Sequence, residues 1–278
     1  MRGLYKLKLR YPFTPGWEGS GVVEKAGAGM LSEWFVGKRV AFNIQSENST
    51  FNYGGSMAEY IVTDIRSLIP IGDDISFEQA ASFFVNPLTA LGMVDRLKEL
   101  GSKATIVTAA ASQIGRMIIK LCHEAGIIPI CIVRREEQAE FLRNNLKVKY
   151  VVNTSEKDWK KKLGMIAMKV RPSSCLEAVA DGMTGLMMEF LGFNSTVILY
   201  GLLSDKPAGG INVIGFIGKN MTVESFLLTI HLHKMSLAEY MELILRAEPL
   251  YRGDLSTVIQ KRFGLHEIKE AIQFYLAN

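Results

Sequence analysis

The sequence predicts an α/β protein, with a doubly wound parallel sheet following a smaller, β-rich segment. Three observations carry this. From Lys103 to about Phe226, short apolar runs alternate with amphipathic helical stretches, the pattern of a parallel sheet with crossover helices. Residues 1–80 hold only short strand-like runs broken by glycine turns. Between these, Lys103 to Ala125 reads KATIVTAAASQIGRMIIKLCHEA, a buried strand, a turn of small residues and an amphipathic helix in sequence.

That turn is the stretch around which the chain is organised. Ala104–Thr108 is apolar and β-branched. Ala109, Ala110, Ala111 and Ser112 are small, and Ile114, Met117, Ile118 and Leu121 recur at helical spacing. Small residues allow a diphosphate to approach the backbone, and the helix start offers free N–H groups and a positive dipole end. A dinucleotide turn ordinarily carries glycines; here Gly115 alone holds the last glycine position of G-x-G-x-x-G, with Ala and Ser in the earlier ones. The candidate diphosphate residues are Ala111, Ser112, Gln113, Ile114 and Gly115.

The next strand, 127–133, ends in Arg134 and Arg135, about twenty residues past the turn, where the residue facing the adenosine ribose belongs. A carboxylate there would suit NAD. Guanidinium groups instead suit a 2′-phosphate, which makes NADP(H) the expected cofactor. The alternative is that both arginines cap the strand in solvent, screened by Glu136 and Glu137.

The remaining strands are expected at 148–152, 174–179, 195–201 and 221–226, with helices near 113–125, 135–145, 156–169 and 183–191. Amphipathic helices follow at Ser236–Arg246 and His266–Leu276. In the first part, Glu18–Lys25, Gly37–Asn43 and Ser56–Asp64 read as strands of a barrel-like domain, with a polar loop at 48–55. Ser76 and Gln79 form a capping-box signal. Asn86 and Pro87 read as cap and first residue of a second helix.

Composition excludes several classes. The net charge of +4 is mild and no basic run is long enough for a nucleic-acid track; Lys160–Lys162 fits a solvated helix face. No apolar run reaches membrane-spanning length. Cys122, Cys131 and Cys175 are scattered and odd in number, so they suggest neither disulfides nor paired zinc ligands. They read as buried thiols in a reducing compartment, the cytoplasm or alternatively the mitochondrion.

Taken in order, several segments resemble the medium-chain dehydrogenase/reductase superfamily in its zinc-independent quinone oxidoreductase and trans-2-enoyl-thioester reductase branch. They are Pro15–Gly21 (PGWEGSG), Gly37–Val40 (GKRV), Gly55–Tyr60 (GSMAEY), Asn86–Ala90 (NPLTA), the turn 109–115, Val133–Gln138 (VRREEQ) and Leu199–Gly201 (LYG). The resemblance implies a partial GroES-like substrate domain (1–84), a Rossmann domain (85–248) and a C-terminal segment (249–278) returning to the first. It implies an NADPH-dependent reduction of a quinone or α,β-unsaturated carbonyl. An enoyl thioester, or cofactor binding without turnover, stands as the alternative.

Zinc-dependent relatives have a His where Trp17 stands, and His231 with His233 lacks a third ligand in sequence, so no zinc is expected. By resemblance, Tyr5 in Gly3-Leu4-Tyr5 matches the proposed proton donor. Asn86 matches a residue lining the cofactor pocket, although its role as a helix cap explains it equally well. Tyr200, Gly201 and Leu202 match the stretch passing the nicotinamide. Phe226 and Leu228 match a later contact, with Leu227 where relatives often have Trp. A homodimer through the strand 221–226 is implied as well. Relatives have roughly fifty further residues before the Tyr5 position and continue past Ala277-Asn278, so the chain reads as truncated at both ends. The Rossmann half is expected to fold regardless.

Overall fold

A computed structural model describes residues 12–44, 55–251, 257 and 259–277. The chain divides into two compact units. One comprises residues up to Asn86 together with those from Glu248 onward; the other is Pro87–Ala247.

The second unit is built on a six-stranded sheet: β4 (Ala104–Val107), β5 (Ile128–Val133), β6 (Tyr150–Asn153), β7 (Ser174–Glu177), β8 (Thr196–Leu199) and β9 (Thr222–Ser225). Its order is β6-β5-β4-β7-β8-β9 and every pairing is parallel. Counted from β4 this is 3-2-1-4-5-6, the Rossmann order, with the topological switch between β4 and β7. Helices α4 (Gln113–Glu124), α5 (Glu136–Asn145), α6 (Trp159–Val170) and α7 (Met183–Glu189) are crossovers. The central strands are mainly apolar because helices cover both faces, with Thr105, Ser174 and Glu177 as buried polar exceptions. Ile106, Ile130, Val152, Cys175 and Val197 are essentially inaccessible, and Leu163, Met187 and Leu191 pack against them.

The strand ends fall within two residues of those expected from sequence. Helix α8 (Val213–Gly218) lies on the crossover from β8 to β9, and α9 (Leu228–His233) and α10 (Leu237–Ala247) follow the sheet. His231 and His233 sit on α9, not on a strand, so residues two apart do not share a face.

The first unit holds a three-stranded antiparallel sheet, β1 (Glu18–Val22), β2 (Arg39–Asn43) and β3 (Leu68–Pro70). Two expectations are corrected here. Residues 56–64 are not a strand. They form an irregular segment tied at its ends, where Met57 N–H donates to the Pro15 carbonyl (2.9 Å) and Thr63 Oγ1 to the Asn43 carbonyl (2.8 Å). No strand among the described residues lies beside it to complete a ladder, so its apolar alternation leaves Tyr60 and Val62 exposed. The β-rich part is thus a small sheet rather than a barrel among the described residues. The 48–55 loop falls mostly outside the described residues.

Helix α2 (Phe77–Ala80) starts with the expected capping box, Ser76 accepting from Gln79 N–H. Helix α3 (Val85–Glu99) starts one residue before Asn86, so Asn86 and Pro87 lie inside its first turn. The reason is tertiary. Glu18, on β1, accepts the Val85 N–H at 2.9 Å and also the Phe84 N–H, and satisfies two of the orphan donors that any helix start presents.

Candidate functional site

All strands of the second unit run the same way, so their carboxyl ends line one edge of the sheet, the edge where open α/β sheets bind ligands. At the switch point the turn after β4 passes through Ala109, which has φ +47°, a left-handed conformation that costs a non-glycine residue about 1 kcal/mol. Ala110 N–H reaches across to the Ile132 carbonyl (3.2 Å) and Ser112 caps α4, its hydroxyl accepting from Gly115 N–H (3.2 Å).

Gly115 is required by space. A Cβ there would stand 2.5 Å from the Ala110 carbonyl oxygen and 2.9 Å from that of Ala109, so the helix start and the turn could not approach as they do. This is the close packing expected of the last fingerprint glycine. Gln113 Oε1 accepts from Arg116, whose guanidinium also lies over Phe141.

Beside this turn stands a buried carboxylate that the sequence reading did not single out. Glu177, at the end of β7, is inaccessible to solvent. Its Oε1 accepts from Val179 N–H (2.7 Å) and Thr108 Oγ1 (3.2 Å); its Oε2 accepts from Ala180 N–H (2.8 Å) and Thr184 Oγ1 (2.9 Å). Thr108 in turn accepts from Ala178 N–H at 2.8 Å. The carboxylate therefore joins the ends of β4 and β7 to α7, and it holds a turn in which Ala180 (φ +64°) and Asp181 (φ +56°) are both left-handed. The available signal was an acidic residue ending the otherwise small and apolar run Ser174–Glu177.

The expected nicotinamide stretch follows β8 and is anchored to that same turn. Leu203 N–H donates to the Ala178 carbonyl (3.0 Å) and Ser204 N–H to that of Val179 (2.9 Å). A Cβ on Gly201 would meet the Ala178 oxygen at 2.7 Å. The Tyr200 hydroxyl is buried without a hydrogen-bond partner, and burial raises its pKa, so it stays protonated. Leu202 is exposed. Phe226 follows β9, its N–H donating to the Leu199 carbonyl (2.9 Å), and Leu228 is buried at the start of α9.

Arg134 and Arg135 are exposed at the carboxyl end of β5. Among the described residues neither guanidinium has a carboxylate within ion-pair range. Glu136, offered in the sequence reading as a screen, gives its oxygens to Arg143 (2.7 Å) and Asn153 (3.0 Å) instead. The turn 111–115, Arg134 and Arg135, Tyr200–Leu202, Phe226 and Leu228 thus share the carboxyl edge of one sheet. Asn86 belongs to the other unit, half-buried in the first turn of α3. Tyr5 lies outside the described residues. Among the described residues no three His, Cys, Asp or Glu side chains are grouped to hold a metal ion.

The cradle around Gly115 and the unpaired arginines suit a dinucleotide with a 2′-phosphate. The turn is free of Cβ atoms at its closest approach, the helix start is capped by a small hydroxyl, and two free cations stand at the next strand end.

Comparison with known proteins agrees with the fold. Residues 1–73 match the alcohol dehydrogenase GroES-like domain. The chain is 27% identical over 248 residues to a mitochondrial enoyl-[acyl-carrier-protein] reductase of Arabidopsis thaliana. That match covers 88% of this chain but 64% of the relative. A solved structure of a candidate NADPH:quinone reductase from Mesorhizobium loti superposes with a TM-score of 0.84 at 29% identity, covering 95% of this chain and 75% of that one. The quinone oxidoreductase of Escherichia coli, solved with NADPH, superposes at 0.79 with 20% identity, covering 99% and 82%, and so shares the fold.

Proposed function

We propose that this chain, homologous to enoyl reductases and quinone oxidoreductases and built on the medium-chain dehydrogenase/reductase fold, is an NADPH-dependent reductase of quinones or other α,β-unsaturated carbonyls that works without zinc. The observation that carries the reading is the pairing of the Gly115 cradle with two unpaired arginines at the end of β5.

When bound, NADPH supplies a hydride. The residues that would hold it are Ala111–Gly115 at the diphosphate, Arg134 and Arg135 at the 2′-phosphate, and Tyr200, Gly201, Leu202, Phe226 and Leu228 towards the nicotinamide, with Asn86 from the first turn of α3. What the chain itself must add is a proton, to the α-carbon of the enolate left by an enone or enoyl thioester, or to the oxygen of the hydroquinone anion left by a quinone. Tyr5 is proposed for that step, since a phenol is neutral at pH 7 and still acidic enough to protonate a developing enolate. The GroES-like part (1–84, with 249–278) is taken as the substrate side and 85–248 as the cofactor side.

The resemblance to the Arabidopsis enzyme supports a second acceptor class, enoyl thioesters. The outer edge of β9 is short and lacks a neighbouring strand among the described residues. An edge of this kind favours pairing with a second copy, and a homodimer is proposed there. The cytoplasm is the proposed compartment, with the mitochondrion as alternative.

The test is NADPH oxidation against a panel of quinones, enones and enoyl thioesters. Turnover of one class is expected, and Tyr5→Phe should lower it about a hundredfold or more with NADPH affinity unchanged, in the range of a general acid. NADPH binding with no turnover of any class would identify an idle cofactor-binding protein instead.

A further inference from the structure

Glu18 stands in an unusual place for a carboxyl group. It opens β1, directly opposite Asn43 on β2, so the two side chains leave the same face of the sheet with Cβ atoms about 5 Å apart. From there Glu18 reaches the start of α3, where Oε2 accepts the Val85 N–H (2.9 Å) and the Phe84 N–H also donates to the carboxyl. The residue after this tie is Asn86. Across the sheet, Asn43 is buried and its Oδ1 has no donor.

Two complementary needs therefore meet on one sheet face. An ionised Glu18 answers the two helix-start N–H groups. A protonated Glu18 carries an O–H that needs an acceptor, and the orphan amide oxygen opposite is one.

Among the described residues no charged side chain compensates the carboxylate. On β2 the one charged residue is Arg39, at the far end of the strand, bound to the Gly72 and Ile75 carbonyls and to Asp73. On α2 it is Glu78, which pairs with Arg262. Glu18 is the one charged residue of β1, and the first turn of α3 has none. Burial accordingly outweighs both N–H bonds and raises the carboxyl to about 7.

We propose that Glu18 is a titratable positioning residue. Ionised, it clasps the first turn of α3 and fixes Asn86; protonated, it releases that clasp in part and donates to Asn43. The clasp stands on the geometry alone; its effect on cofactor binding rests on the functional reading above.

The test follows the amide proton shifts of Phe84 and Val85 and the Glu18 carboxyl carbon shift by NMR between pH 5 and 9. In parallel, NADPH affinity is measured over the same range for the wild type, Glu18→Gln and Asn43→Ala. The three shifts are expected to move together with one midpoint near 7. A carboxyl midpoint in the ordinary carboxylate range, or amides that do not titrate with it, overturns the clasp. Because these shifts are read on the unaltered protein, the test survives a variant that fails to fold. In the wild type NADPH should bind about tenfold tighter above the midpoint than below it, the worth of one hydrogen bond, beyond whatever pH dependence remains in Glu18→Gln. Asn43→Ala should shift the midpoint downward by removing the acceptor of the protonated form. Identical affinity profiles in wild type and Glu18→Gln overturn the positioning role. A clasp that titrates in a protein with no NADPH affinity at any pH upholds the clasp and sinks the cofactor reading.

Discussion

Two carboxylates at strand ends, Glu177 in the parallel sheet and Glu18 in the antiparallel one, solve the same problem differently. Glu177 is fully buried and answered by four donors from three directions. Glu18 is less deeply placed, has backbone N–H groups at one helix start as its partners, and is raised to about 7 by its burial. The number and direction of the donors, not burial alone, decide what a carboxyl group ties together. Glu177 joins two strand ends, a turn and a helix, whereas Glu18 leaves a joint at one helix start that ambient pH can address.

The sharpest way to break the comparison is Glu177→Ala. It strands four donors in a solvent-inaccessible site, at about 1 kcal/mol or more each, and frees a turn with two left-handed residues. A loss of about 3–5 kcal/mol in urea denaturation is expected; a loss under 1 kcal/mol would mean the donors find other partners. Gly115→Ala comes next. Its Cβ meets carbonyl oxygens rather than flexible side chains, so about 2 kcal/mol of stability and most NADPH affinity should go, read by denaturation and by fluorescence titration.

Glu18 gives a comparable effect with a distinct pH signature. A carboxyl group whose folded pKa lies above its unfolded one favours the native state at low pH. That contribution is complete below about 4.5 and is lost as pH rises through about 7. Unfolding free energy of the wild type should fall across that window by on the order of 3 kcal/mol, with a flatter profile in Glu18→Gln. The smallest effect belongs to Gly92→Ala. Its new Cβ would press on the ring ends of Phe226 and His231, 2.6 and 2.8 Å away. Side-chain tips can yield, so about 1 kcal/mol is expected by thermal denaturation.

Much of this architecture was legible in the sequence where one physical demand dominated. Most of the buried parallel strands are apolar runs without alternation, and the crossovers have helical period, so Ala104–Val107 to Thr222–Ser225 could be placed within two residues. The small-residue turn and Arg134 and Arg135 were legible for the same local reason. What failed was what depends on partners distant in sequence. The alternation at 56–64 resembles a strand, yet a strand needs a neighbour to pair with. Asn86 resembles a helix cap, yet a carboxylate from residue 18 makes the helix begin before it. Glu177 showed only as an acidic residue closing a small and apolar run, because its donors at 108, 179, 180 and 184 converge only once the sheet is assembled.

The central claim is that the turn at 109–115, with Arg134 and Arg135, seats a dinucleotide bearing a 2′-phosphate. Calorimetric titration of the purified chain with NADPH and NADH tests it most directly. NADPH should bind at least tenfold more tightly than NADH, and Arg134→Ala should remove most of that margin, the worth of one charge-assisted hydrogen bond. Equal affinity for the two cofactors, or no heat of binding with either, would contradict it.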